Sequence, residues 1–377
     1  MKRTILIWIL LITAAGSAWC RGYTLDESEP VSLAGIEKIV IEILEPRCVA
    51  CVSTLNHDIT IQGQERDRRL LLSLTGTVST NRRGAVPRLV WEKRGEELRV
   101  SLYPEDLILV GLVSGGKAVF NAGIPAGFAG DVEVMASSNN IRIQDLSAGA
   151  VSVDTRSGNI RAEGITTENL EIACGSGNIG LDRILVSGDL LCTASSGNVT
   201  LGKTDVNGTA TFSLSSGECR GDILIGGEIE INSGSGAIEI GEIIARRSLF
   251  MKASSGKIVS SSVKAGRVEL VAGSGDIRIG ELTGALNAEC SSGNVTIGFV
   301  EIREDITISC SSGNIRLTVP PGSRYSPDIK AGSGRISLAD PVLGIVNQGD
   351  DAVRGDVNGG GPIVRLRASS GNISISH

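Results

Sequence analysis

The sequence predicts an all-β protein, a parallel β-solenoid of coils about 20 residues long, with an N-terminal β region leading into it and capping it. Three observations carry this. A Ser-Gly-Asn phrase recurs around Asn139, Gly158, Gly177, Gly197, Gly217, Gly236, Gly256, Gly275, Gly293, Gly313, Gly334 and Gly371, at steps of 19, 19, 20, 20, 19, 20, 19, 18, 20, 21 and 37 residues. Apolar residues alternate with polar ones on both sides of each phrase, the period of a half-buried strand. No stretch shows the 3.6-residue period of a long helix.

One repeat shows how the pattern works. Val268, Leu270 and Ala272 precede Gly275, and Ile277 and Ile279 follow it. These positions point to one side, and Glu269 and Arg278 point to the other. The glycine is read as a turn position where positive φ is needed, and asparagine tolerates the same conformation. A short apolar patch such as Gly280-Glu281-Leu282 lies mid-repeat. A chain turning at such fixed points stacks each strand on its copy about 4.8 Å away. One coil cannot bury its own inner face, so stacking supplies the core.

In chain order, Lys2 and Arg3 precede an apolar run, Ile5 to Ile12, and the small residues Ala14 to Ala18 follow. Residues 1–20 therefore read as a secretory signal peptide, and the protein as exported to periplasm, cell surface or medium. Trp19 departs from the small residue a lipobox requires, which argues against lipidation of Cys20. No later apolar run is long enough to span a membrane. Residues 31–130 form a β region without the repeated phrase: strands at 38–44, 57–62 and 70–74, a loop at 81–87, and a hairpin around Arg94-Gly95. Residues 131–377 form the repeat domain, interrupted at 340–362 by a segment rich in Gly and Asp. Aromatic residues are only 3% of the chain and Gly reaches 49 residues, as a thin core with tight corners requires. The net charge of −6, without a basic block, argues against nucleic acid as a partner.

The phrase Ser-Ser-Gly-Asn-[Ile/Val], the stretch Val319-Pro-Pro-Gly-Ser323 leading to Ile329-Lys-Ala-Gly-Ser-Gly334, and Arg354-Gly-Asp-Val-Asn-Gly-Gly-Gly-Pro362 running into Arg367-Ala-Ser-Ser-Gly-Asn-Ile373 resemble the bacterial DUF4097 family over roughly residues 35–377. The resemblance implies an exported β-solenoid. It implies no catalytic residue, since the family has no defined activity and the adhesin label its members often carry is itself an inference.

Candidate chemistry is sparse. Cys48-Val-Ala-Cys51 sits between strands, not at the start of a helix in a βαβ unit, so a local disulfide or a pair of loop thiols is the expectation over redox catalysis. Cys174, Cys192, Cys219, Cys290 and Cys310 fall at inward positions and read as small buried hydrophobes. Cys290 and Cys310 should stack on consecutive coils. Recurrence argues against a nucleophile among the corner serines and against a phosphate loop at Gly-Ser-Gly. Asn follows the corner in seven of twelve repeats, but Lys257 and Arg335 at the same position argue against a calcium ladder and for a stacked amide ladder. Arg354-Gly355-Asp356 spells a receptor-binding tripeptide in what reads as a loop. No catalytic, cofactor or metal site is expected. The leading reading is a non-catalytic exported solenoid binding an unknown envelope or surface component. The alternatives are a polysaccharide-acting β-helix enzyme, which would need converging carboxylates and aromatic platforms, and a self-associating envelope protein whose last repeat, past Gly371, offers an open edge.

Overall fold

The computed structural model describes residues 20–45, 47–49, 52–64, 68–103, 107–343 and 351–377. The signal segment up to Trp19 and Cys51 lie outside these residues, as does the Cys48 side chain. The chain is an all-β parallel solenoid whose only helical piece among the described residues is the 3-10 turn Arg83–Ala85. It divides into two compact units, Met1–Gly177 and Asn178–His377.

In the first unit, strands before the corner stack in parallel in the order Glu97–Ser101, Lys38–Ile43, Asp131–Ser138, Ser147–Ser157. Strands after the corner stack as Val113–Pro125, Val52–Gln64, Asn140–Gln144 and the start of Ile160–Ser176. The N-terminal β region thus contributes two parallel coils of its own, 38–64 and 97–125, and the later one in sequence lies outside the earlier one. It also caps them. Leu70–Thr80 runs antiparallel on Val113–Pro125, Arg21–Val31 on Leu70–Thr80, and Val90–Arg94 on Glu97–Ser101. The repeated phrase is missing here because the corner is replaced by insertions. Four residues separate Ala136 from Ile141, whereas residues 44–58 intervene between Ile43 and Ile59, whose partners these are.

In the second unit five successive coils, from Val199–Leu214 to Ile277–Ser292, each contribute one long strand that carries past the mid-repeat patch, with a register shift at the bend such as that between Ala245 and Ser248. The coils at 179–194 and 295–312 are each split in two. The core is the predicted alternate set: Val268, Leu270, Ala272, Ile277, Ile279 and Leu282 are at most 2% exposed. Neighbouring coils match volumes. Phe212 lies beside Cys192 on one side and Ile231 on the other, and all are fully buried.

The order of coils departs from the order of sequence at one place. Ile306–Ser312 pairs with Ile363–Ser370, which in turn pairs with Ser326–Ala331. Ile315–Thr318, Ile373–Ser376 and Ile336–Leu338 follow the same order. The repeat after Gly371 is therefore inserted between two earlier ones. Both of its edges are paired, which corrects the expectation that it offers an open edge. Ala352–Arg354 runs antiparallel along Ser326–Ala331 and covers the outermost strand. Among the described residues, the short strand Ile336–Leu338 pairs only with Ile373–Ser376.

Candidate binding surfaces

The corner glycines have a reason beyond backbone conformation. A Cβ on Gly217, Gly236, Gly256 or Gly275 would lie 1.7–2.0 Å from the carbonyl oxygen of the corner glycine one coil earlier. Stacking at strand spacing leaves no room for a side chain pointing along the column. Positive φ applies at Gly158, Gly293, Gly313 and Gly371 only, of the corner set.

Beside that column runs a hydrogen-bond ladder. The Asn294 Oδ1 accepts the Asn314 backbone N–H at 3.1 Å, Asn314 Oδ1 accepts that of Asn372 at 2.9 Å, and Asn372 Oδ1 accepts that of Arg335 at 2.8 Å. The residue after the corner thus ties these coils to one another, in the spatial order 294, 314, 372, 335. Each rung needs only a backbone donor from its upper neighbour, so Arg335 fits at the end.

The repeat cysteines are buried, and three of them do more than fill space. Cys174, Cys290 and Cys310 donate to the Gly158, Gly275 and Gly293 carbonyl oxygens at 3.3, 3.5 and 3.2 Å. Ser233 takes the same position and donates to the Gly217 carbonyl oxygen. Cys290 and Cys310 are direct neighbours on consecutive coils. The hydrogen bond to Cys310, together with burial, pushes the Cys290 thiol well above its ordinary value, and burial pushes Cys219 up to about 12. The Cys290 and Cys219 thiols are therefore poor nucleophiles, whereas the same hydrogen bond lowers Cys310.

In the first unit, the corner column starts from a polar pair. His57, 4% exposed, meets Tyr103 through a 3.2 Å contact between Nε2 and the phenol oxygen. Asn139 Nδ2 donates to the His57 carbonyl oxygen at 3.1 Å. Burial lowers the His57 pKa to about 4 against a weak opposing pull from Asp58, so the ring is neutral at pH 7 and shares one hydrogen bond with the tyrosine. Burial raises the Tyr103 phenol. Neither residue is open to a solute. A cleft of about 1010 Å³ in this unit is lined by Leu33, Ile36, Arg68, Phe128 and Asp131 among others. Its lining mixes these apolar side chains with Ser32, Glu37, Gln64, Arg68 and Asp131.

In the second unit, the tripeptide Arg354-Gly355-Asp356 is part of the cover over the outermost coil. Arg354 Nε donates to Asp328 Oδ1 at 3.0 Å, and Asp356 Oδ1 accepts from Ser326 Oγ at 2.7 Å. The Asp356 and Leu343 backbones pair in both directions. Asp328 also holds Arg365 and Arg367. Sequence reading missed this cluster. The alternation of Arg365 and Arg367 was visible, but their meeting with Asp328 and Arg354 depends on the inserted coil. Of the outward residues expected on the strands, Asp154, Glu230, Lys252, Arg220, Arg278 and Arg316 are exposed and Glu269 is half-buried. Among the described residues, no three His, Cys, Asp or Glu side chains gather as a metal site, and no helix is long and apolar enough to cross a membrane.

The Toastrack DUF4097 family profile matches residues 127–223 and 220–376, well over half the chain. No curated protein matches the sequence. Solved structures that align along nearly the whole chain include a provisionally named cell adhesion protein from Clostridium sporogenes, with 11% identity over 94% of this chain and 99% of that one and a TM-score of 0.24. A provisionally named adhesin from Bacteroides fragilis shows 11% identity over 94% and 97%, at 0.20. A provisionally named lipid binding protein from Parabacteroides distasonis shows 14% over 95% and 98%, at 0.24. These values are too low to transfer a ligand or a site.

Proposed function

Because the chain belongs to the Toastrack DUF4097 family, we propose that it is a non-catalytic, exported solenoid that binds a component of the cell envelope or surface through the outward faces of its coils. The observation that carries this reading is the outward stripe of the second unit. There Glu239 takes Lys257 at 2.7 Å and Arg220 at 3.5 Å, and Arg220 also meets Glu218 at 2.8 Å, across three successive coils. The Lys257 hydrogen bond is the main reason the Glu239 carboxyl is held below its ordinary value. Exposed ion pairs of this kind contribute little to stability, at most about 1 kcal/mol each. Their regular spacing on a rigid ladder suits them to polar contact with a repetitive or flat partner. Export is supported by the sequence features of residues 2–18.

The test is fractionation of the native host followed by retention of the purified chain on isolated envelopes. Recovery in an exported fraction and salt-sensitive retention are expected. A cytoplasmic location, or no retention at low salt, would overturn the reading.

A further inference from the structure

At the outermost strands of the second unit, register puts unlike charges on one face. Thr307 and Ser309 lie beside Arg365 and Arg367, these beside Asp328 and Lys330, and Asp328 beside Arg354. Residues opposite one another in a ladder share a face, as do residues two apart along a strand. Ile363, two before Arg365, belongs to the same face.

Asp328 organises the cations. Its Oδ1 takes Arg354 Nε at 3.0 Å, and its Oδ2 takes Arg365 Nε at 3.2 Å and an Arg367 Nη at 2.8 Å. Burial alone would raise this carboxyl, and the three guanidiniums outweigh it and hold the group below its ordinary value. Arg367 spends its other Nη on the Asp328 and Leu366 carbonyl oxygens. Arg354 and Arg365 differ: each is held by Nε alone, and their side chains are 68% and 48% exposed. Their Nη pairs have no partner among the described residues, so two planar forks with the geometry that suits an oxyanion remain open. Asp356 and Asp305 lie at the margin, occupied by Ser326 and by the Ile363 backbone.

The same face carries apolar side chains that a purely ionic site would not use. Leu343 is 66% exposed and Ile363 41% exposed. Leu343 is paired through its backbone to Asp356, next to Arg354. Held guanidiniums beside bare aliphatic groups are the chemistry of the boundary between phosphate headgroups and acyl chains.

We propose that this face docks on an anionic lipid surface, with Arg354 and Arg365 taking phosphate oxygens of headgroups and Leu343 and Ile363 entering the acyl boundary. The inference deepens the envelope-binding reading and rests on it.

The test is co-sedimentation of the full chain with vesicles of phosphatidylcholine alone or mixed with phosphatidylglycerol. Binding to the mixed vesicles only is expected. Arg354→Gln and Arg365→Gln should each weaken it about fivefold, and Leu343→Ser should weaken it too. Arg94→Gln removes the same charge from an exposed side chain on the antiparallel cover of the first unit and should not. Asp328→Asn separates held forks from general attraction, because it makes the face more positive yet releases the guanidiniums: weaker binding is expected. The proposal is overturned by absence of binding to phosphatidylglycerol, by unchanged binding of both arginine variants, by tighter binding of Asp328→Asn, or by binding of inorganic polyphosphate without vesicle binding. Retention on isolated envelopes without vesicle binding would sink this site and leave the broader reading standing. Loss of both would sink both.

Discussion

Each unit has one edge where the spatial order of coils leaves the order of sequence, and the two edges are finished differently. In the first unit, the coil 97–125 lies outside the coil 38–64 and is covered by antiparallel strands of 11 residues, Leu70–Thr80 and Arg21–Val31. That cover buries Val31, Leu70, Leu72, Leu74 and Val78 to 1% exposure or less. In the second unit, the outermost coil 326–338 is covered by three residues, Ala352–Arg354, and by ion pairs on Asp328. Each edge also holds one buried tyrosine. Tyr103 meets His57, whereas the Tyr325 hydroxyl is buried with no partner among the described residues. Each cover pairs a strand of its outermost coil. One adds apolar area and satisfied polar groups, the other adds charge, which leaves a face able to meet a partner.

The largest effect should come from breaking the second edge at its inserted coil. Removing residues 363–377 takes away Val364, Leu366, Ile373 and Ile375, each at most 3% exposed. At about 1.5–3 kcal/mol per side chain, the loss is roughly 6–12 kcal/mol, comparable to the whole stability of a domain. It also strips both partners of the inserted coil. Limited proteolysis should then cut throughout 319–362, while removal of residues 21–31 should leave the parallel coils of the first unit protected.

Next in size is a pH effect confined to the first edge. His57 has a folded pKa of about 4 against 6.5 unfolded. The unfolded chain therefore binds the extra proton, and stability falls as pH drops from about 6.5 to about 4, by roughly 3 kcal/mol in all. Urea midpoints across this range, read by protection of the first unit, should show that slope, and His57→Gln should flatten it.

The two tyrosines sharpen the comparison further. Tyr103→Phe leaves the buried His57 Nε2 without its partner and should cost about 1–3 kcal/mol. Tyr325→Phe removes an unpartnered hydroxyl and should leave stability unchanged or raise it. Equal losses in thermal unfolding would contradict the contrast. The smallest effect belongs to the ladder beside the corner: Asn314→Ala should cost about 1 kcal/mol, because it deletes the acceptor for the Asn372 backbone. Melting temperature checks this, with Asn314→Asp retaining the acceptor.

The repeat, the inward set and the placement of the cysteines were legible because each is written inside a single coil. Coil order was not, because the inward face of Ile306–Ser312 presents the same Ile, Ile and Cys alternation to Ile363–Ser370 that it would present to Ser326–Ala331. The partner is chosen by the turns at 319–325 and 355–362, which carry no periodicity. The coils 38–64 and 97–125 were hidden as coils because their corners are stretched by insertions. The glycine column was read for its turns, whereas at Gly217, Gly236, Gly256 and Gly275 contact between coils suffices to demand it. The Asp328 cluster escaped for the same reason as the coil order: its arginines lie 26 to 39 residues from Asp328, and Arg365 and Arg367 meet it only through the insertion.

The inserted repeat has a consequence for biogenesis. A ribosome delivers 326–338 before 363–376, yet the earlier stretch reaches its final place only after the later one has been threaded against Ile306–Ser312. A nascent polypeptide halted anywhere between those points displays a raw β edge that adhesion to a sister molecule, a chaperone or a protease would find first.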